Sequence, residues 1–229
     1  MNDVKLYHGS RGGIVGKIKP MSRQRCDFGQ GFYMGTNPQQ VRSLVCEEVQ
    51  PVYYVLKLKL SEIPEDRILH LEGEEWVNAV LANRQANKEF SRLQIAKDIM
   101  QKLTKYDIIY GTIADDRMDE AMRRFMQNGL TTAGLLACLQ SVDYGIQYVA
   151  RTEFACSKIE ILTEHDVTKG ELQSAREYGA VKRREGIGVV DKMAKLYPRE
   201  GKYLSEIISE QSVLEQQAQS NQNHGKRGG

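Results

Sequence analysis

The sequence predicts an α+β fold. Three observations carry this: short strand-like runs alternate with helix-like runs over residues 4–163, the runs differ in period, and the chain beyond is helix-like. Residues 4–8 (Val-Lys-Leu-Tyr-His) alternate and form a short strand entering a loop. Residues 9–31 hold six glycines and little periodicity, so they are mostly loop. Gly31-Phe32-Tyr33-Met34 is a second short strand. Thr36-Asn37-Pro38 starts a helix: Asn37 or Thr36 caps it, and Pro38 suits the first turn, where a missing N–H costs little. Val41, Leu44 and Val45 give that helix an apolar face.

Val52 to Leu60 is the strongest strand, its second half alternating Leu with Lys. Helices follow at 74–87 and 91–104, then a strand at Tyr106–Tyr110. Helices at Asp115–Met126 and Thr131–Gln140 have acceptable caps. Ile146–Ala150 and Ile159–Leu162 are strands joined by a short helical link. Past Thr163 the chain is amphipathic and helical, with breaks at Gly186-Ile187-Gly188 and Pro198. Leu204, Ile207, Ile208 and Leu214 stripe a last helix. Residues 216–229 are polar and Gly-rich and read as a disordered tail. The expected organisation is a core over 1–163, a helical extension over 164–215 and a tail over 216–229.

Composition excludes several classes. The 229 residues, 41% apolar, allow one full domain with an appendage. The 32 basic and 30 acidic groups leave +2, without the basic excess of a nucleic-acid footprint. Cys26, Cys46, Cys138 and Cys156 form no C-x-x-C pair, so they read as reduced thiols. His70, His165 and His224 have no partners at metal spacing, and no metal site is predicted. Trp76 reads as a core anchor. No signal peptide is seen behind Met1, and apolar runs fall short of a membrane span. The expectation is a cytoplasmic protein without a membrane, open to delivery into another cell by a signal-less route.

Two segments can carry chemistry: Leu6-Tyr7-His8-Gly9-Ser10 and Asp27-Phe28-Gly29-Gln30-Gly31-Phe32-Tyr33-Met34-Gly35-Thr36. Taken singly, each reads as a plain turn beside a strand, and a lone glycine pair is weak evidence of a phosphate loop. Together they place a polar ring and a bare backbone near an aromatic ring. That suits a flat, cationic amide ring. Gly9 can offer N–H and C=O to a carboxamide. Tyr33 can stack on a pyridinium face. His8 can bond a ribose hydroxyl, and Ser10 can add a bond to the amide.

These segments resemble the ADP-ribosyltransferase superfamily, in its diphtheria-toxin and poly(ADP-ribose) polymerase branch. The closer likeness is to a bacterial family filed as domain of unknown function 3990, with Asp-Phe-Gly-x-Gly-Phe-Tyr as hallmark. Tyr106-Asp107-Ile108-Ile109-Tyr110-Gly111 with Ala114-Asp115-Asp116-Arg117 is a second shared block, and Gln147 with Thr152-Glu153 is similar to a third. The resemblance implies a split two-sheet core and NAD as substrate, with no metal. It implies that His8 touches the nicotinamide ribose, Gly9 clamps the carboxamide and Tyr33 stacks on the ring. It further implies that Asp27, Phe28, Gly29, Gly31, Phe32 and Thr36 border the same pocket. The third signature residue is expected to be Gln147, with Glu153 as rival.

Two departures from the family pattern matter. Leu44 stands where the polymerases carry a second tyrosine, so one ring face must be covered otherwise, by Phe32 or a residue of 91–110. Gln147, unlike glutamate, supplies neither a base nor negative charge, which favours single transfers. The glycosidic bond to nicotinamide is already activated, and the transition state is oxocarbenium-like, so the protein fixes the ring and supplies dipoles. Asp115 and Asp116 either reach the acceptor or a ribose, or cap the next helix. Asp27 orders the loop or touches the diphosphate side, and Arg23 and Arg25 are the nearest basic groups there. The expected activity is a mono-ADP-ribosyltransferase, toxin or effector, acting on a protein or nucleic acid and held in check by a neutralising partner. Alternatives are an NAD or ADP-ribose binding module without turnover, and an interaction protein working through its helices.

Overall fold

The computed structural model describes residues 2–85, 87–113, 119–141 and 145–225. The α+β prediction holds. Strands β1 (Val4–Ser10) and β2 (Phe32–Gly35) flank the glycine-rich loop. Helix α1 (Pro38–Ser43) follows, with the Asn37 side chain accepting from the amides of Gln39 and Gln40 and Pro38 in the first turn. Next come β3 (Val52–Leu58), β4 (Ile68–Leu71), α2 (Gly73–Arg84), α3 (Gln94–Leu103) and β5 (Ile108–Thr112). Then come α4 (Asp119–Met126), α5 (Thr132–Ser141), β6 (Ile146–Ala150), α6 (Glu153–Cys156) and β7 (Ile159–Asp166). Helices α7 (Lys169–Leu196) and α8 (Leu204–Gly225) close the chain.

The strands form one mixed sheet in the order β4-β5-β6-β2-β1-β3-β7. Among the described residues, only β4 and β5 run parallel. The expected pair of separate sheets is not formed: all seven strands share one sheet, because β1 and β2 pair, and its two halves join at one registered pair, Tyr7 with Gly35. On either side pairing is extensive: β1 meets β3 over seven registered pairs, and β2 meets β6 over four. The sheet is therefore pinched between β1 and β2.

One sheet face is covered by helices. Trp76, Val80, Ile99, Phe125 and Leu135 pack there with Phe28 and Val149. Trp76 is the expected anchor: it is 1% exposed, and its Nε1 donates to the Thr112 carbonyl at 2.9 Å. The other face carries Leu6, Phe32, Met34, Leu56 and Ile108, covered in part by Ile14 and Ile18 of the loop and by Cys156 of α6. Alternation along β2 sends Phe32 and Met34 to this second face and Tyr33 to the first.

Several boundaries differ from expectation. Strand β4 has no counterpart in the sequence reading: four residues between a 3-10 turn and α2 are too few to show a period. Strand β7 runs four residues past Leu162 because its ladder with β3 continues to Asp166. Helix α2 stops at Arg84, with Gln85 in the left-handed region (φ 50°). Helix α7 does not break at Gly186-Ile187-Gly188. It packs on α1, α4 and α5, Gly186 is buried, and tertiary packing overrides a weak glycine propensity. Val190 and Leu204 belong to the main core, so the C-terminal helices are seated on it. Leu214 of the expected stripe is exposed. Helix α8 extends to Gly225, into the stretch expected to be tail. No helix among the described residues is long and apolar enough to cross a membrane.

Candidate functional site

A cavity of about 140 Å³ opens at the pinch. Its size suits one six-membered aromatic ring. Gly9 from β1, Tyr33 from β2 and Gln147 from β6 border it, with Tyr7, Val41 and Leu44. The sheet register brings them together: Tyr7 opposes Gly35, and Gly35 opposes Gln147. Gly9 has to be glycine, since a Cβ there would stand 2.9 Å from Val45 Cγ2 and 3.2 Å from the Val41 carbonyl oxygen. The space a side chain would take is filled by Val45 and the Val41 carbonyl.

Tyr33 is held from behind. Its hydroxyl donates to the Gly29 carbonyl oxygen at 2.7 Å and accepts from the Phe28 amide at 3.0 Å. The Asp-Phe-Gly-x-Gly-Phe-Tyr spacing is what closes this loop. Phe28 is fully buried in the core, and Gly29 has φ +80° with Asn83 Oδ1 only 2.9 Å from where a Cβ would be. Gly31 is tighter still: a Cβ there would overlap Val149 Cγ1 outright. Burial, then the Asp27 charge, pushes the Tyr33 phenol well above its ordinary pKa, so the ring is neutral.

His8 ties the two half-sheets. Its Nδ1 donates to the Tyr33 carbonyl oxygen at 2.7 Å. A carbonyl only accepts, so Nδ1 carries the proton and Nε2 is the acceptor of the neutral ring. Burial lowers the His8 pKa, partly opposed by that bond. The imidazole lies 4.3 Å, centroid to centroid, from Phe32. His8 borders the small cavity and also a larger one of about 450 Å³, which shares Tyr33 and adds Ser10, Lys17, Lys19 and Ser22.

Gln147 is 7% exposed, and its Nε2 donates to Asp27 Oδ2 at 3.2 Å. Asp27 Oδ1 in turn accepts from Arg84 Nε at 2.5 Å. Asp27 is therefore a support beneath the cavity and not part of its lining. Thr36 is also a support: its Oγ1 accepts from the Ile146 amide at 2.9 Å, holding β2 on β6.

Some expected contacts are elsewhere. Phe32 does not cover the vacant ring face, because it points to the opposite side of the sheet and packs on His8. No residue of 91–110 lines the small cavity either; Tyr7, Val41, Leu44 and Ile113 close it. Ser10 lies in the larger cavity, its Oγ donating to the Gly13 carbonyl at 3.0 Å. Glu153, the rival of Gln147, begins α6 and borders a third cavity of about 580 Å³, with Lys17, Lys19 and Cys156. Arg23 and Arg25 are exposed and border none of these cavities. Asp115 and Asp116 lie outside the described residues.

Lys17 and Lys19 are not among the residues that sequence reasoning singles out. A signal for them exists: two lysines two apart around Ile18, which in extended chain share one side. The Asp107 block is structural. Asp107 accepts from Arg67 Nε at 3.0 Å and from Thr152 Oγ1 at 2.7 Å, so the second and third motif blocks meet there and tie the ends of β4, β5 and β6 together.

A family model described as a protein of unknown function (DUF3990) matches residues 4–161. No curated protein and no solved structure matches the chain. The chain belongs to the DUF3990 family.

Proposed function

We propose that this member of the DUF3990 family binds NAD with the nicotinamide ring in the small cavity and transfers single ADP-ribose units to a protein or nucleic-acid acceptor. One observation carries the reading: Gly9, Tyr33 and Gln147, from three strands, border one ring-sized cavity at the sheet pinch. The Gly9 main chain offers the carboxamide an N–H and a C=O. Tyr33 packs on one ring face, and Leu44 and Val41 replace a second tyrosine on the other. Loss of the sandwich partner leaves the cation less well stabilised by ring quadrupoles. The larger cavity takes the rest of the dinucleotide, with Lys17 and Lys19 towards its diphosphate. His8 Nε2 accepts from a ribose hydroxyl between the two cavities. Bond breaking releases neutral nicotinamide from a cation, so fixed dipoles around the oxocarbenium-like centre suffice and no metal is required.

A second reading, NAD binding without turnover, is favoured by the neutral amide at Gln147, which adds no negative charge at the developing cation. A transferase of this kind harms a cell that holds its target, so a neutralising partner protein belongs to the first reading. Incubation with NAD labelled in either half, with and without cell lysate, separates them. Nicotinamide release with label transfer supports the transferase. Saturable binding without release supports the binding module, and absence of binding removes both.

A further inference from the structure

The Gln147 carboxamide has two unlike ends, a donating Nε2 and an accepting Oε1. Which end meets the ligand decides what the cavity reads. Beneath β6 a polar chain fixes the answer: Arg84 Nε to Asp27 Oδ1 at 2.5 Å, and Gln147 Nε2 to Asp27 Oδ2 at 3.2 Å. A carboxylate paired with a guanidinium has acceptors only, so the amide end that meets it is the NH₂. Among the described residues Oε1 accepts no hydrogen bond, and Gln147 borders the cavity.

Resting on the NAD reading, we infer that Asp27 and Arg84 are positioning residues that turn Gln147 so that its Oε1 presents a neutral acceptor to a ribose hydroxyl of the ligand. The same pair disfavours an ionised glutamate at 147, because a second carboxylate would stand against Asp27 in a buried place. Among the described residues, the charged or titratable groups that act on Asp27 or on the neighbouring Tyr33 include Arg84 from α2, Cys26 from the loop, His8 from β1 and Arg151 after β6. Asp27 itself is anionic and in contact with the amide.

The test compares Gln147→Glu with the double variant Asp27→Asn/Gln147→Glu, in which the amide introduced at position 27 can donate to the new carboxylate. Two quantities are measured between about pH 5 and about pH 8: the thermal midpoint without ligand, and the dissociation constant for NAD. Gln147→Glu should lose thermal stability as pH rises, since the two carboxyls share a proton in the folded state and must give it up. Its NAD affinity should fall by about tenfold or more over the same range. The double variant should show neither trend and bind NAD to within about threefold of the wild type. Absence of a pH trend in Gln147→Glu, or of its removal by Asp27→Asn, overturns the assignment. If Gln147→Glu fails to fold, folding of the double variant supports it and failure of both overturns it. A stability trend with rescue, but no NAD binding by any form, supports the positioning of Gln147 and removes the nicotinamide reading instead.

Discussion

The Tyr33 hydroxyl donates to the carbonyl oxygen of Gly29, four residues earlier, at 2.7 Å. With the Phe28 amide donating back to the same hydroxyl, the loop closes on the ring it presents. Tyr33→Phe removes both bonds and leaves the Phe28 N–H without its partner. We expect a loss of about 1–3 kcal/mol in urea unfolding, while the ring persists and NAD affinity falls only modestly. Tyr33→Ala removes the ring and should abolish NAD binding.

Gly31 sits between strands, where a Cβ would overlap Val149 Cγ1 and stand 2.9 Å from the Ala150 carbonyl oxygen. Backbone has to move to admit a methyl group. Gly31→Ala should cost about 1–3 kcal/mol in unfolding and displace Tyr33, so stability and NAD binding fall together. Gly12→Ala, with nothing near its Cβ, is the control.

The Arg67 guanidinium, with help from Thr152, holds the Asp107 carboxyl below the usual carboxylate range. A lowered folded pKa gives stability that is present above the unfolded value and lost as pH falls through the folded one. Asp107→Asn should flatten the acid limb of the stability curve below about pH 4 and lower stability at neutral pH. NAD affinity at neutral pH should be unchanged, since Asp107 borders no described cavity.

His8 is lowered by burial, which makes protonation unfavourable in the folded state. Stability from the neutral ring is full above about pH 6.5 and declines as pH falls below it. NAD binding should weaken at lower pH than that, as pH falls through the lowered folded-state value, because a protonated Nε2 no longer accepts. His8→Gln should remove both trends, as measured by thermal midpoint and binding titration across that range.

Much of the site is legible in the sequence because its parts are local. The Leu6–Ser10 and Asp27–Thr36 segments stand out as loop and strand runs that can carry chemistry, and Asn37 with Pro38 predicts the helix whose residues border the cavity. What stays hidden depends on pairing across the sheet. Which residue of the last strands faces the pocket follows from the Gly35–Gln147 register, and a one-residue slip would present Tyr148 instead. The expectation for Phe32 fails on the same ground: on a two-residue strand period it cannot share the Tyr33 face. Helix α7 looks broken in sequence because Gly186 and Gly188 weaken it locally, whereas its packing on α1, α4 and α5 is long-range.

Equilibrium titration of the purified protein with NAD, competed by free nicotinamide, tests the ring-sized cavity most directly. The expected result is saturable binding that nicotinamide displaces and that His8→Ala and Tyr33→Ala abolish. Absence of saturable binding, or wild-type affinity in both variants, would contradict the assignment of this cavity to the nicotinamide end of NAD.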